Sequence, residues 1–150
     1  MLNVQVLIYP ATDLSSERAS FEQFKDGFLP RENARWYKSK YTPRAETRLE
    51  PSASPLLAPT DTLRRTAPAY VALARCDVLH DEGLAYAEAL KKAGVSVVVD
   101  VTEGAPHGFF SLQGLAEAQS ALSRVCAWLE GQWTRPASSH SRAAIMVAKL

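Results

Sequence analysis

Three apolar runs constrain the fold of this chain more than anything else in it. They are residues 4–9 (Val4, Gln5, Val6, Leu7, Ile8, Tyr9), residues 69–74 (Ala69, Tyr70, Val71, Ala72, Leu73, Ala74) and residues 95–101, which are nearly all valine. A strand with one wet face alternates apolar and polar residues. Strands apolar along their whole length are covered on both faces, which points to a parallel sheet with helices above and below. The segments between them agree. Residues 81–93 carry Leu84, Ala87 and Leu90 on one helical face, and Gly94 closes the helix. Residues 104–108 read as a tight loop. Residues 114–133 then place Leu115, Ala118, Leu122, Val125, Leu129 and Trp133 at steps of three or four. Strand, helix, strand, loop, helix is α/β order, with right-handed crossovers.

The stretch between the first two strands has another character. Residues 13–20 are a polar loop, and residues 21–42 carry Phe21, Phe24, Phe28, Trp36, Tyr37 and Tyr41 at irregular spacing. Residues 31–40 have helical content, with Pro30 at a plausible helix start. These aromatics either form a lid or pocket wall, or simply pack on the domain. Pro43, Pro51, Pro55, Pro59 and Pro68 mark an irregular connection with one short helix near residues 60–64. Residues 134–150 read as a tail, weakly helical from residue 143.

A length of 150 residues fits one domain, here residues 1–133, with 47% apolar and 22% charged residues. A net charge of +1 gives no electrostatic case for nucleic acid or an anionic membrane. No run approaches the ~18–20 apolar residues of a membrane span, and no secretory leader is visible at the start. Cys76 and Cys126 make neither a disulfide framework nor a metal-ligand spacing. A reducing, cytoplasmic setting is the simpler expectation. The final Ala148-Lys149-Leu150 is like a peroxisomal address, but three residues match by chance.

Chemistry concentrates after the second and third strands. Ligand sites on parallel sheets lie at the carboxyl ends of strands, and both Asp77 and His107 fall at such ends. Histidine is the usual general base because it titrates near neutrality, and a partner carboxylate fixes its tautomer. The small neighbours Gly104, Ala105 and Gly108 would let a substrate approach the ring. The competing reading is a surface histidine and a helix-capping aspartate. Asp81 is the better candidate for the cap, leaving Asp77 for another role. His80 is expected to face solvent near the site, and His140 lies in the tail.

Several ordered motifs carry a resemblance. They are Tyr9-Pro10, Ser54-Pro55-Leu56, Asp77-Val78-Leu79-His80-Asp81-Glu82-Gly83, Tyr86-Ala87, Leu90 with Ala93-Gly94-Val95, and His107-Gly108-Phe109. From residue 5 to about 133 the chain resembles the C-terminal part of the hormone-sensitive-lipase-like branch of the α/β-hydrolase fold, a group of carboxylesterases. Val78 and His80 stand where that family usually has proline and arginine. The resemblance implies a partial α/β-hydrolase of about three parallel strands, Asp77 as triad acid and His107 as triad base. It also implies a cap-like segment over residues 14–42, and no cofactor or metal. Phe21, Phe24, Phe28, Trp36 and Phe109 are the expected walls of a substrate pocket.

Such esterases carry a Gly-x-Ser-x-Gly elbow and a His-Gly-Gly-Gly stretch upstream, and neither occurs in these 150 residues. Removing a triad serine costs about 10⁶ in turnover. What survives in a serine-less enzyme, ~10³–10⁴ over water, comes from the oxyanion hole and binding. The chain alone is therefore expected to be inactive. Cys76 as an alternative nucleophile is disfavoured, since a neighbouring carboxylate raises a thiol's pKa. The first strand would also leave an open sheet edge, which invites a homo-oligomer, a complementing chain or poor folding. Two functions follow: a carboxylesterase represented by its C-terminal half, with a small hydrophobic ester as substrate, or a non-enzymatic remnant binding a hydrophobic ligand or protein through residues 21–41.

Overall fold

The computed structural model describes residues 3–112 and 114–133. Three strands, β1 (Gln5–Ile8), β2 (Ala69–Cys76) and β3 (Val97–Pro106), form one sheet in the order β1-β2-β3. Both pairings are parallel, with Gln5 opposite Ala69 and Ala69 opposite Val97. Among the described residues there are five α-helices: α1 (Ala19–Gln23), α2 (Arg31–Tyr41), α3 (Thr60–Leu63), α4 (His80–Lys92) and α5 (Ala116–Trp133).

The apolar strands divide their side chains between two layers. Leu7, Val71 and Leu73 pack with Tyr86, Ala87 and Leu90 of α4. Val6, Tyr70 and Ala72 point the other way, against Val125 and Leu129 of α5. Both faces are covered, which is why the strands read as unbroken hydrophobic runs. Gly83 lets α4 approach β2 closely: a β-carbon there would sit 2.6 Å from Leu73 Cδ2.

Several boundaries differ from the sequence reading. β3 starts two residues later than expected and runs on to Pro106, so most of the expected loop over residues 104–108 is strand. Its polar half-exposed residues hid it, because the strand lies at the sheet edge with its outer side uncovered. On α5 the buried stripe is Ala118, Ala121, Val125 and Leu129, whereas Leu122 is 53% exposed. A four-residue step from Ala121 matches the stripe better than one from Ala118 to Leu122. The expected tail over residues 134–150 lies outside the described residues.

The aromatic segment packs at the carboxyl end of β2. Phe21, Leu29 and Ala34 cluster with Val78 and Leu79, the residues that link β2 to α4. One buried ion pair fastens this segment to the sheet layer. Lys38 Nζ lies 3.2 Å from Glu82 Oε2, donates to the Asp13 carbonyl at 2.9 Å, and sits 4.4 Å from the centre of the Phe21 ring. The other Glu82 oxygen accepts the Thr12 and Asp13 N–H groups at 2.8 and 3.2 Å. Burial pushes the Glu82 carboxyl up from the usual carboxylate range, against the pull of Lys38 and those two N–H groups.

Candidate active site

The carboxyl ends of all three strands converge on one spot. Tyr9 follows β1, Asp77 follows β2 and His107 follows β3. Asp77 is 2% exposed, and each of its oxygens has a separate task. Oδ1 accepts the Leu79 N–H at 3.0 Å, which fixes the turn into α4. Oδ2 lies 2.7 Å from His107 Nδ1. A carboxylate only accepts, so Nδ1 carries the proton and Nε2 presents a lone pair. The buried acid thus sets the tautomer that a general base requires. The His107 side chain keeps 14% of its surface open.

The ring of His107 has a second neighbour. Tyr9 packs on it with ring centroids 4.6 Å apart, and Phe109 and Phe110 flank Tyr9 at 5.9 and 6.1 Å. Burial pushes the Tyr9 phenol up, the Ser111 hydroxyl pulls it down, and the Asp77 charge adds to the rise. Tyr9 is held at φ 34°, in the left-handed region, immediately before Pro10. Such a backbone costs a bulky residue about 1–3 kcal/mol.

The expected pocket aromatics are divided between core and surface. Phe21 is 2% and Phe109 0% exposed, so both rings are core rather than wall. Phe24 is half-buried beside Phe21. Phe28 and Trp36 are open to solvent at 64% and 56%. Of the five, Phe28 stands at the His107 turn: its Cε1 is 3.6 Å from where a β-carbon on Gly108 would lie. Two concavities open elsewhere, one bordered by Asp100, Glu117 and Arg124, the other by Ser15, Arg35 and Arg48.

Two other expectations are corrected. Asp81 does not cap α4. The helix begins one residue earlier with Leu79 at its cap, and the Asp81 carboxylate accepts the Ser20 N–H at 2.9 Å instead. His80 is buried at 5% exposure rather than solvent-facing. Its Nδ1 faces the Ala74 carbonyl at 3.0 Å and its Nε2 faces Arg75 Nη1 at 2.8 Å. Among the described residues, no three His, Cys, Asp or Glu side chains gather where they could hold a metal ion. No helix among them is long and apolar enough to cross a membrane.

Comparison with known proteins fits this geometry. The profile of the alpha/beta hydrolase fold matches residues 1–111. The chain belongs to the alpha/beta hydrolase fold family. Within that family it is 38% identical to ethyl acetate hydrolase of Pseudomonas putida over 115 residues, which is 76% of this chain and 36% of that protein. It is 32% identical to hormone-sensitive lipase of Bos taurus over 106 residues, 69% of this chain and 14% of the lipase. Among solved structures, a thermostable esterase from Pseudomonas putida ECU1011 superposes with a TM-score of 0.85 at 35% identity, covering 91% of this chain and 44% of the esterase. The chain therefore spans less than half the length of each of these proteins. The hormone-sensitive-lipase-like carboxylesterase resemblance and the three-stranded parallel α/β sheet both stand.

Proposed function

We propose that this chain supplies the acid and base of a serine-type carboxylic-ester hydrolase. The hydrogen bond of 2.7 Å between His107 Nδ1 and buried Asp77 Oδ2 supports that reading most directly. The nucleophile and oxyanion donors come from a segment outside these 150 residues, since no Gly-x-Ser-x-Gly occurs within them. His107 Nε2 takes the serine proton as the hydroxyl oxygen attacks the ester carbonyl, and Asp77 stabilises the imidazolium that results. The same proton goes to the departing alkoxide, which leaves as alcohol. A water then cleaves the acyl-serine by the same route. The substrate is a small ester, in keeping with the ethyl acetate hydrolase relative. Phe24, Phe28 and Trp36, on the segment over the carboxyl end of β2, form part of the cap that faces it.

Activity measurements test this in two arms. The chain alone hydrolyses p-nitrophenyl acetate no faster than its His107→Ala variant. Mixed with the nucleophile-bearing portion of the ethyl acetate hydrolase, it gains turnover. Asp77→Asn then lowers that turnover by about 10⁴. Turnover by the chain alone that vanishes in His107→Ala would refute the need for an outside nucleophile. Complemented turnover indifferent to both substitutions would refute the assigned roles.

One observation favours a second reading, a binding protein without catalysis. Trp36, Tyr37 and Tyr41 of α2 are 56%, 41% and 68% exposed, an open aromatic surface on one helix. Binding of a hydrophobic ligand or protein that is lost in Trp36→Ala, in a chain that no complementing segment activates, would favour it.

A further inference from the structure

We infer that Tyr9 is a positioning residue that holds the imidazole of His107 in its working orientation. This rests on the reading of His107 as the general base. The starting point is a conflict between residue and backbone. Position 9 has φ 34°, and Tyr9 is the one non-glycine residue with positive φ among those described. Glycine or asparagine is the ordinary occupant of that region. Pro10 follows, which narrows the choices further. A tyrosine persists there only when its surroundings fix it, and residues with a strained backbone of this kind gather where function needs them.

The surroundings do fix it. The Tyr9 N–H donates to the Ala72 carbonyl at 2.7 Å, anchoring the strained residue to β2. Phe109 lies edge-on to the Tyr9 ring, and Ala74, Ala105, Ala118 and Ala121 complete the cluster. One side of the phenol ring remains for His107, at 4.6 Å between centroids and 55° between planes.

His107 needs such a support. Its hydrogen bond to Asp77 fixes one atom, Nδ1, and leaves the ring able to tilt about that point. The next residue is Gly108 at φ 78°, which offers no side chain to brace it. A tilt moves Nε2, the atom that meets the nucleophile, and misplacement of reacting groups by about 1 Å costs roughly 10²-fold in rate. The Tyr9 ring removes that freedom without donating or accepting a proton. Its chemistry is therefore replaceable by any ring of similar shape.

Nuclear magnetic resonance of the full chain tests this without any need for turnover. In the unsubstituted chain, Tyr9 ring protons give cross-peaks to the Cε1 and Cδ2 protons of His107, and a low-field Nδ1 proton reports the Asp77 bond. Tyr9→Phe preserves the His107 signals. Tyr9→Leu displaces them and exposes the Nδ1 proton to exchange. His80, held by Ala74 and Arg75, keeps its own signals in both variants and reports whether the fold survives. Absence of the Tyr9–His107 cross-peaks overturns the inference even if no variant folds. So do unchanged His107 signals in Tyr9→Leu. Loss of the His80 signals together with those of His107 would also overturn it, making Tyr9 a general packing residue. Absence of the Nδ1 proton from the unsubstituted chain would instead count against the acid–base reading itself.

Discussion

Lys38→Met should be the most damaging single substitution outside the apolar core. The Lys38 and Glu82 side chains are 6% and 1% exposed, and they join α2 to α4 across the loop that follows Tyr9. Removing the cation leaves Glu82 with the Thr12 and Asp13 N–H groups but no opposite charge. Breaking one side of a buried pair costs about 3–5 kcal/mol. With an m-value of about 2 kcal/mol/M, the urea midpoint at pH 7 falls by about 1.5–2.5 M. The pH dependence follows from the direction of the Glu82 shift. Burial already raises its folded pKa, and loss of Lys38 raises it more. A raised pKa means that the folded state holds the proton more tightly than the unfolded chain. The deficit of the variant is therefore complete above the folded pKa. It shrinks as pH falls through that value towards the unfolded one, about 4.3. Adding Glu82→Gln removes the stranded charge, so the double variant should be more stable at pH 7 than the sum of the singles by about 0.5–3 kcal/mol. Strictly additive midpoints, or a deficit as large at the unfolded carboxylate pKa of about 4.3 as at pH 7, would refute the reasoning.

Three smaller outcomes follow from local geometry. Gly83→Ala puts a methyl 2.6 Å from Leu73 Cδ2 in the sheet layer. Overpacking of about 1–3 kcal/mol should outweigh the ~1 kcal/mol gain in helix propensity, and calorimetry should show a lower Tm. Gly108→Ala costs about 1–2 kcal/mol through its backbone, because φ is 78° while the nearest side-chain atom stands at 3.6 Å. Phe28→Ala should therefore fail to rescue its melting temperature. Asp13 is partly desolvated, which raises its pKa, but the hydroxyl and N–H groups of Ser15 and Ser16 outweigh that and hold it low. Its contribution is present above the unfolded value of about 3.9 and lost as pH falls through the folded one. Asp13→Asn should thus lower the urea midpoint at pH 7, by an amount that shrinks as the pH falls below the unfolded value.

The sheet was legible because burial on two faces writes itself into composition. Val71 and Tyr70 point to opposite layers and both are buried, so β2 reads as apolar throughout. The end of β3 was not legible, because an edge strand has no second neighbour to demand apolar residues from Glu103 onwards. Asp77 and His107 could be marked as candidates because strand ends are where parallel sheets expose chemistry. That neither aspartate caps α4 could not. Asp81 suits a cap by spacing, and only the arrival of the Ser20 N–H, 61 residues away in sequence, draws its carboxylate elsewhere. His80 misled for a related reason. Its partners are the Ala74 carbonyl and Arg75, and a helix side chain folding back onto the preceding strand leaves no periodic trace.

The Lys38–Glu82 pair shows what kind of fact a linear reading loses. Lysine among Trp36, Tyr37 and Lys40 reads as one more solvated charge on an exposed helix, and Glu82 as a favourable charge in the first turn of α4. Each local reading is sound. The pair exists because the loop carrying Thr12 and Asp13 needs acceptors for its N–H groups where β1 has ended, and Glu82 supplies one. Burying that carboxylate then requires a cation, which α2 delivers from 44 residues away. The demand arises in the backbone just beyond Tyr9, the residue that braces His107. Placement of the aromatic segment and orientation of the imidazole are therefore set by the same short turn. A change there should disturb both together, whereas changes in Trp36 or Tyr41 should disturb neither.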